Sequence, residues 1–454
     1  MSIGAFTNQV IPTMLEQVRP KLQPWLVSKQ SKLMNLINKQ AEKHNVSAFT
    51  DAASGGSPTY SLGGPVLAWR VPVLLFYGGD YQAVSLDGGD LGTGSMMGTA
   101  FMAFGTFEND LGYNLPMRAI LASKDMKQAV VNALQSTLSK AIPEMALYNE
   151  IGFFGDGTGM LAQANGTGSP TFGATVTYNL ETTNFSYDRL RGKNSLVDVY
   201  NSANLLLYSG ARIQSISFAN NTVTISTPTG SYSPTNTDQL AFPNMGTGSY
   251  TAVAGSWRNG LYTFSTTSTS GSIGGLAYST AYELATPQVN AAGAYYTPSL
   301  LLSGKTQLIQ RRDDEAYSSA IGICHPAQRA SWYLQGVTIS EWFRGASDKM
   351  IDIVPGGTDY GDTFKAGDVM HYVSRYANKS RVDWIVPSNY GWTQLSDIDF
   401  IQTPEGQRIF IGRSASTGNP QAGYQFYILN TRQLYSVDPG CGVVYYSLAI
   451  PAGQ

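Results

Sequence analysis

The longest run of helical periodicity begins after Ser123, where Met126, Ala129, Val130, Ala133, Leu134, Leu138, Ala141, Ile142 and Met145 recur every three to four positions. That spacing lines one face of a helix. Ser123 suits the N-cap and Gly152 the stop, so the pattern predicts a helix over 124–151. At about 1.5 Å per residue it spans on the order of 42 Å, bent near Pro143. A second helix is predicted over 187–208 from Leu196, Val199, Tyr200, Ala203, Leu206 and Leu207, ending at Gly210. A third, 27–44, carries Leu33, Leu36, Ile37 and Ala41 as one apolar stripe that needs a partner surface. Before it, Pro12, Pro20 and Pro24 break the chain into short pieces. Pro326 suits the first position of a fourth helix, 326–335.

Elsewhere the period drops to two. Residues 66–77 (VLAWRVPVLLFY) read as one long strand bent at Pro72, and 99–106 (TAFMAFGT) as its return. Residues 60–118 are thus expected to form an extended two-stranded projection, after a Gly/Ser/Pro-rich hinge at 52–64. A hairpin of that kind is not stable alone in water; it should lie on something, and in an oligomer the next subunit can serve. Residues 213–304 contain only Asp238, Arg258 and Glu283 as charged residues and alternate Thr/Ser with Val, Ile, Tyr and Phe, which predicts an inserted β-rich module. Strands near the C-terminus (WIVP, RIFIGR, YQFYIL, VVYYSLAIP) are expected to return to the long helix and close an α+β body.

Charge changes this picture. Only 13% of the 454 residues are Asp, Glu, Lys or Arg, about half the roughly 25% of ordinary soluble domains. A surface so poor in charge is suited to being covered by neighbours. The arm and the projection segment differ in sign. Residues 1–50 carry six cations against Glu16 and Glu42, net +4; residues 51–118 carry six acids against Arg70 and Arg118, net −4. The whole chain is at −2 with a pI near 6.0, so it has no global attraction to nucleic acid. The basic arm reads first as a solvated face, and second as a contact for packaged DNA. No secretory signal or membrane span is visible.

Candidate chemistry is sparse. His44, His325 and His371 lie far apart, and no HExxH or Cys-x-x-Cys occurs. Cys324 and Cys441 read as buried thiols. Gly304-Lys305-Thr306 imitates the end of a phosphate-binding loop, but Ser299 stands where the opening glycine belongs. That motif and Gly155–Gly159 both read as turns. Acid clusters at 313–315, Asp348/Asp352 and Asp397/Asp399 read as solvated surface. The sequence therefore points to no enzyme, no metal and no cofactor.

Three stretches carry a family likeness: ALYNEIGFFGDGTG (146–159), YDRLRGKNSLVDVYNSANLLLYSG (187–210) and CHPAQRASWY (324–333). Taken with the order arm, β-projection, long helix, α/β body and returning strands, the chain resembles major capsid proteins of tailed bacteriophages with the Hong Kong 97-like fold. The resemblance implies an N-arm (1–58), an E-loop (59–118), and a P-domain (119–186) with spine helix 124–151. It also implies an A-domain (187–212 and 305–400) holding the β-rich insertion 213–304, and C-terminal strands 401–454 returning to the P-domain. It implies self-assembly into hexamers and pentamers of an icosahedral head around double-stranded DNA, hence a virion protein assembled in the host cytoplasm. Portal, a separate scaffolding protein and a decoration protein are the implied partners. Intersubunit contacts fall on Arg70, Tyr81, Asp87, Asp90, Met96, Phe101 and Phe104 of the E-loop. On the arm they fall on Leu33, Leu36 and Ile37, while Val130, Leu134, Leu138 and Ile142 form the spine core. Some relatives crosslink through an E-loop lysine; 51–118 contains none, so a non-crosslinked shell is expected. Three other readings stay open: an encapsulin-like nanocompartment, another virion component, and a β-rich carbohydrate-binding or hydrolytic protein with Trp257, Tyr262 and Tyr278 as a stacking platform.

Overall fold

A computed structural model describes residues 15, 18–26, 28–45, 48–49, 66–76, 98–116, 126–165, 169–171, 175–181, 189–190, 192–193, 195–202, 205–217, 220–226, 237–243, 259–266, 271–312, 318–343, 363–402, 410–413 and 420–451. The acid clusters at 313–315 and 348/352, Trp257, and the projection tip lie outside them.

The long helix runs Met126–Phe153 with Pro143 inside it. Its C-terminal half packs one face, Leu138, Ala141, Ile142 and Met145, against two other segments. The first is the arm, where residues 18–26 are helical despite Pro20 and Pro24, which corrects the broken-chain expectation. Leu15, Leu22 and Leu26 are buried against the long helix with Val18 beside them, and both prolines face outward. Burial of that stripe at i, i+4 spacing outweighs the hydrogen bonds the prolines remove. The second is strand Pro420–Asn430, which buries Phe426 and Ile428 in the same cluster. That strand pairs along its length with Asn109–Pro116. Residues 109–116 therefore belong to a sheet of the C-terminal strands, not to the projection.

The second arm helix is shorter than the pattern predicts. It spans Lys32–Gln40, with the Ser31 side chain accepting from the Met34 N–H. Residues Glu42–Asn45 leave it as a strand, parallel to Tyr390–Gln394, which also pairs with Gln433–Ser436.

The helix predicted over 187–208 is not formed; this is a correction. Leu196–Tyr200 and Leu206–Ser217 are antiparallel strands paired with each other. Five further strands complete a seven-stranded sheet: Met160–Gln163, Ser169–Thr171, Thr175–Asn179, Thr222–Ser226 and Gln239–Ala241. Among the described residues, the low-charge stretch 213–304 is not one separate module: within it only Ser272–Ile273 and Leu276–Ala277 pair with each other alone. Its first half joins this sheet, while Gln288–Asn290 pairs with Val443–Tyr446 in a six-stranded mixed sheet. Strands Ile321–Cys324, Thr363–Ala366, Val369–Val373 and Val382–Ile385 fill out that second sheet. Helix Pro298–Arg311 packs Leu301 and Leu308 into the core beneath it. Gly304-Lys305-Thr306 thus lies inside a helix, where Gly304 admits the Tyr445 ring; the turn expectation is corrected. Helix Pro326–Phe343 begins at the expected proline.

Candidate assembly surface

The projection is two strands, Val66–Phe76 and Gly98–Gly105, paired antiparallel from Ala68↔Gly105 out to Phe76↔Gly98. Alternation along the second strand sorts its residues onto two faces. Met102 and Phe104 are buried, whereas Phe101 is 55% exposed. Met102 and Phe104 join the main core, together with Val71. Phe104 meets Phe264 edge-on at 6.0 Å and Tyr435 at 5.6 Å between ring centroids. Two backbone ties fix the same strand: Ala103 N–H donates to Gly274 O (2.8 Å), and Thr393 Oγ1 donates to Gly105 O (2.7 Å). Gly274 has φ +54, and a Cβ there would stand 2.8 Å from that of Met102, so the close approach requires glycine.

The arm reaches the same place. His44, on the arm strand, stacks on Trp69 of the hairpin at 3.8 Å with planes 10° apart, and Tyr435 leans on both rings. Burial raises the Tyr435 phenol above its ordinary range, with the Glu42 carboxylate adding to it. Lys43 beside them is held below the ordinary lysine value by burial and then by Arg432. The arm's charges are also partly consumed within the chain. Arg19 pairs with Asp399 at 2.6 Å, and Asp397 pairs with Arg432 at 3.1 Å, so this acid pair is more than solvated surface.

The expected contact residues divide accordingly. Phe101 is exposed, with the Arg70 guanidinium 5.8 Å from its ring centre. Phe104, Leu33 and Ile37 are buried in this chain's own core, a correction to their assignment as intersubunit contacts: the body under the hairpin root and arm already covers them. Leu36 is half-buried. Tyr81, Asp87, Asp90 and Met96 lie outside the described residues, as do the side chains of Val130 and Leu134. Leu138 and Ile142 are buried between the long helix, the arm and the C-terminal strand. Sequence reasoning missed His44, Trp69 and Tyr435, because nothing local marks three aromatics from distant segments as neighbours.

The stacking platform is removed. Tyr262 and Tyr278 are both core residues. Arg381 covers the Tyr262 ring at 4.3 Å, and the Tyr262 hydroxyl accepts from Asn378 N–H (2.8 Å). Burial, then the Asp383 charge, pushes its pKa up to about 12. Of the cysteines, Cys324 is buried, but Cys441 is only half-buried, against Asp438. Among the described residues, no group of His, Cys, Asp and Glu is placed to hold a metal, and no helix is long and apolar enough to cross a membrane.

No protein-family model matches the sequence, and no curated protein does. Solved structures similar to the chain include phage capsids and a virus-like particle. A capsid asymmetric unit of cyanophage A-1(L) aligns over 84% of this chain and 88% of its own, at 7% identity and a TM-score of 0.43. Gordonia phage Cozz aligns over 92% and 87%, at 9% identity and a TM-score of 0.41. A virus-like particle from Pyrococcus furiosus aligns over 95% and 99%, at 9% identity and a TM-score of 0.36.

Proposed function

We propose that the chain is a capsid-type shell subunit that assembles with copies of itself. One observation carries the reading: a hairpin whose inner face is fixed to its own body by Met102, Phe104 and Trp69 holds Phe101 and Pro72 out on its other face. A rigidly rooted strand pair that displays apolar surface is a contact element for a neighbour. The low charge of the sequence supports the same conclusion, since a subunit enclosed by neighbours needs little charge for solubility. The finer reading is a Hong Kong 97-like head subunit forming hexamers and pentamers around double-stranded DNA. A portal, a separate scaffolding protein and a decoration protein are the partners it would meet. With no lysine in 51–118, the shell holds without hairpin-lysine crosslinks.

Negative-stain microscopy of the purified chain tests this. Closed shells are the expected result, and dispersed monomers at high concentration would overturn it. Protein-filled shells lacking DNA, recovered from the producing cell, would move the role to a cargo compartment.

A further inference from the structure

A cleft of about 460 Å³ opens where the arm crosses the body. The long helix forms one side from Pro143 to Glu150. The start of the second arm helix, the first turn of Pro326–Phe343, and residues 372–376 at and after the end of strand Val369–Val373 form the others. Four lining side chains are cationic: Lys29, Lys32, Arg329 and Arg375. Among the described lining residues the only acid is Glu150, whose carboxylate accepts from Ser374 Oγ at 2.9 Å. Four positive against one negative puts the described lining side chains at +3, in a chain whose net charge is −2.

The cations come from three separate segments, so no single helix periodicity or composition bias explains their meeting. A concavity lined mainly by one sign of charge focuses the field and concentrates counter-ions. The backbone adds to the field. The first turn of Lys32–Gln40 faces the cleft through Lys32 and Leu33, where main-chain N–H groups lack intrahelical partners and the helix dipole is positive. Helix Pro326–Phe343 brings its own N-terminal end to the same space through Pro326 and Arg329.

We propose that this cleft binds phosphate groups, presented either by a nucleic-acid backbone or by a free polyphosphate anion. A carboxylate offers two oxygens in one plane. A phosphate offers three or four acceptors in a tetrahedron, which suits donors arriving from several sides. Arg329 and Arg375 bring guanidinium forks, the groups best matched to phosphate oxygens. Lys29 and Lys32 supply point charges at the solvent side, where both are exposed. A cleft of this volume has room for one or two phosphate groups and no folded partner.

The test uses the full chain. Pyrophosphate binding is measured by calorimetry, and an oligothymidylate of about 20 nucleotides is followed by fluorescence anisotropy across a salt series. Lys29 and Arg375 are exposed, so the K29Q/R375Q double variant should fold normally, which its circular dichroism and thermal midpoint check. The expected result is at least tenfold weaker pyrophosphate binding in the double variant, with R375K retaining most of the affinity. Oligonucleotide displaced by pyrophosphate, with a salt slope reduced by about one per cation removed, assigns the site to nucleic acid. Pyrophosphate binding without oligonucleotide binding assigns it to a free polyphosphate. Binding unchanged in the double variant, or no binding of either probe, overturns the proposal. A peptide of residues 78–98 that binds wild type but not K29Q/R375Q, where neither phosphate probe binds, would make the cleft an interchain contact instead.

Discussion

The imidazole of His44 lies flat on the indole of Trp69, their centroids 3.8 Å apart. One ring belongs to the arm and the other to the hairpin, so a single contact ties together the two segments that leave the body. Tyr435 touches both rings from the strand beneath, which pairs with Tyr390–Gln394. The direction in which arm and hairpin depart is therefore set by the folded subunit and does not wait for a neighbour.

Trp69→Ala should loosen both segments at once. The side chain is half-buried, so the loss falls below that of a fully buried Trp, at about 2–3 kcal/mol. Urea denaturation should show a lower midpoint. Limited proteolysis should show faster cleavage in both the arm and the hairpin. Faster cleavage in only one of them would mean that the stack does not couple the two.

The phosphate-loop lookalike gives a second test, because a nucleotide site and a packed helix demand opposite sensitivities. Gly304 faces the Tyr445 ring so closely that a Cβ would overlap the phenol, whose hydroxyl donates to Leu301 O at 3.3 Å. Gly304→Ala should cost about 1–3 kcal/mol through overpacking. Lys305 forms a surface ion pair with Asp368 at 3.7 Å, so Lys305→Ala should change stability by less than about 0.5 kcal/mol. Denaturant titrations of the two variants decide between them. A Lys305 variant as damaged as the Gly304 variant would contradict this account.

How far these elements could be read in advance depends on where their partners lie. The long helix was legible because its apolar face repeats for several turns, and the hairpin strands because β-branched and aromatic residues alternate around Pro72. The strand Glu42–Asn45 was not, since EKHN has no apolar pattern and acquires its hydrogen bonds from Tyr390–Gln394. The false helix at 187–208 has a similar cause. Leu196, Val199, Tyr200 and Leu206 fit a 3.6-residue period, but Val197 and Val199 are β-branched and buried in a sheet. Pairing with Gln239–Ala241 overrides the local pattern. In the candidate site, Phe101 and Phe104 were legible as hairpin residues. Which of them faces outward depends on the body beneath, which a local window does not contain.

Stability should fall with acid, and His371 is one of two buried histidines that drive the fall. Its Nε2 lies 3.0 Å from the Tyr296 hydroxyl and 3.2 Å from Trp384 Nε1, and Nδ1 is 3.0 Å from Val369 O. Burial holds its pKa at about 4 against 6.5 in an open chain. Between those values the unfolded chain takes up a proton that the folded one refuses. The contribution is thus complete above pH 6.5 and is lost as pH falls to 4, by roughly 3 kcal/mol. His325, held at about 3 by burial and then by Lys379 and Arg189, acts in the same direction. Asp383, whose carboxyl burial raises, acts in the opposite one. Unfolding free energies of wild type and His371→Gln between pH 7 and 4 separate these effects. The two curves should converge toward acid pH, and parallel curves would show that His371 is not the source.

The hairpin's two faces make the assembly reading testable within four residues. Phe104 is 2% exposed and packs on Phe264 and Tyr435. An aspartate there buries an unpaired carboxylate at a cost of several kcal/mol, roughly, so Phe104→Asp should yield insoluble chain. Phe101 is 55% exposed on the opposite face, and Phe101→Asp should leave stability within about 0.5 kcal/mol of wild type, as for other surface changes. Its effect should fall on association instead, because the charge would enter the contact with the next subunit unpartnered. Sedimentation of the soluble Phe101→Asp chain should therefore show subunits or small oligomers where wild type gives shells. Shells at wild-type yield from Phe101→Asp would remove the outer face of the hairpin from the assembly contact, while an insoluble Phe101→Asp chain would place that face in the fold itself.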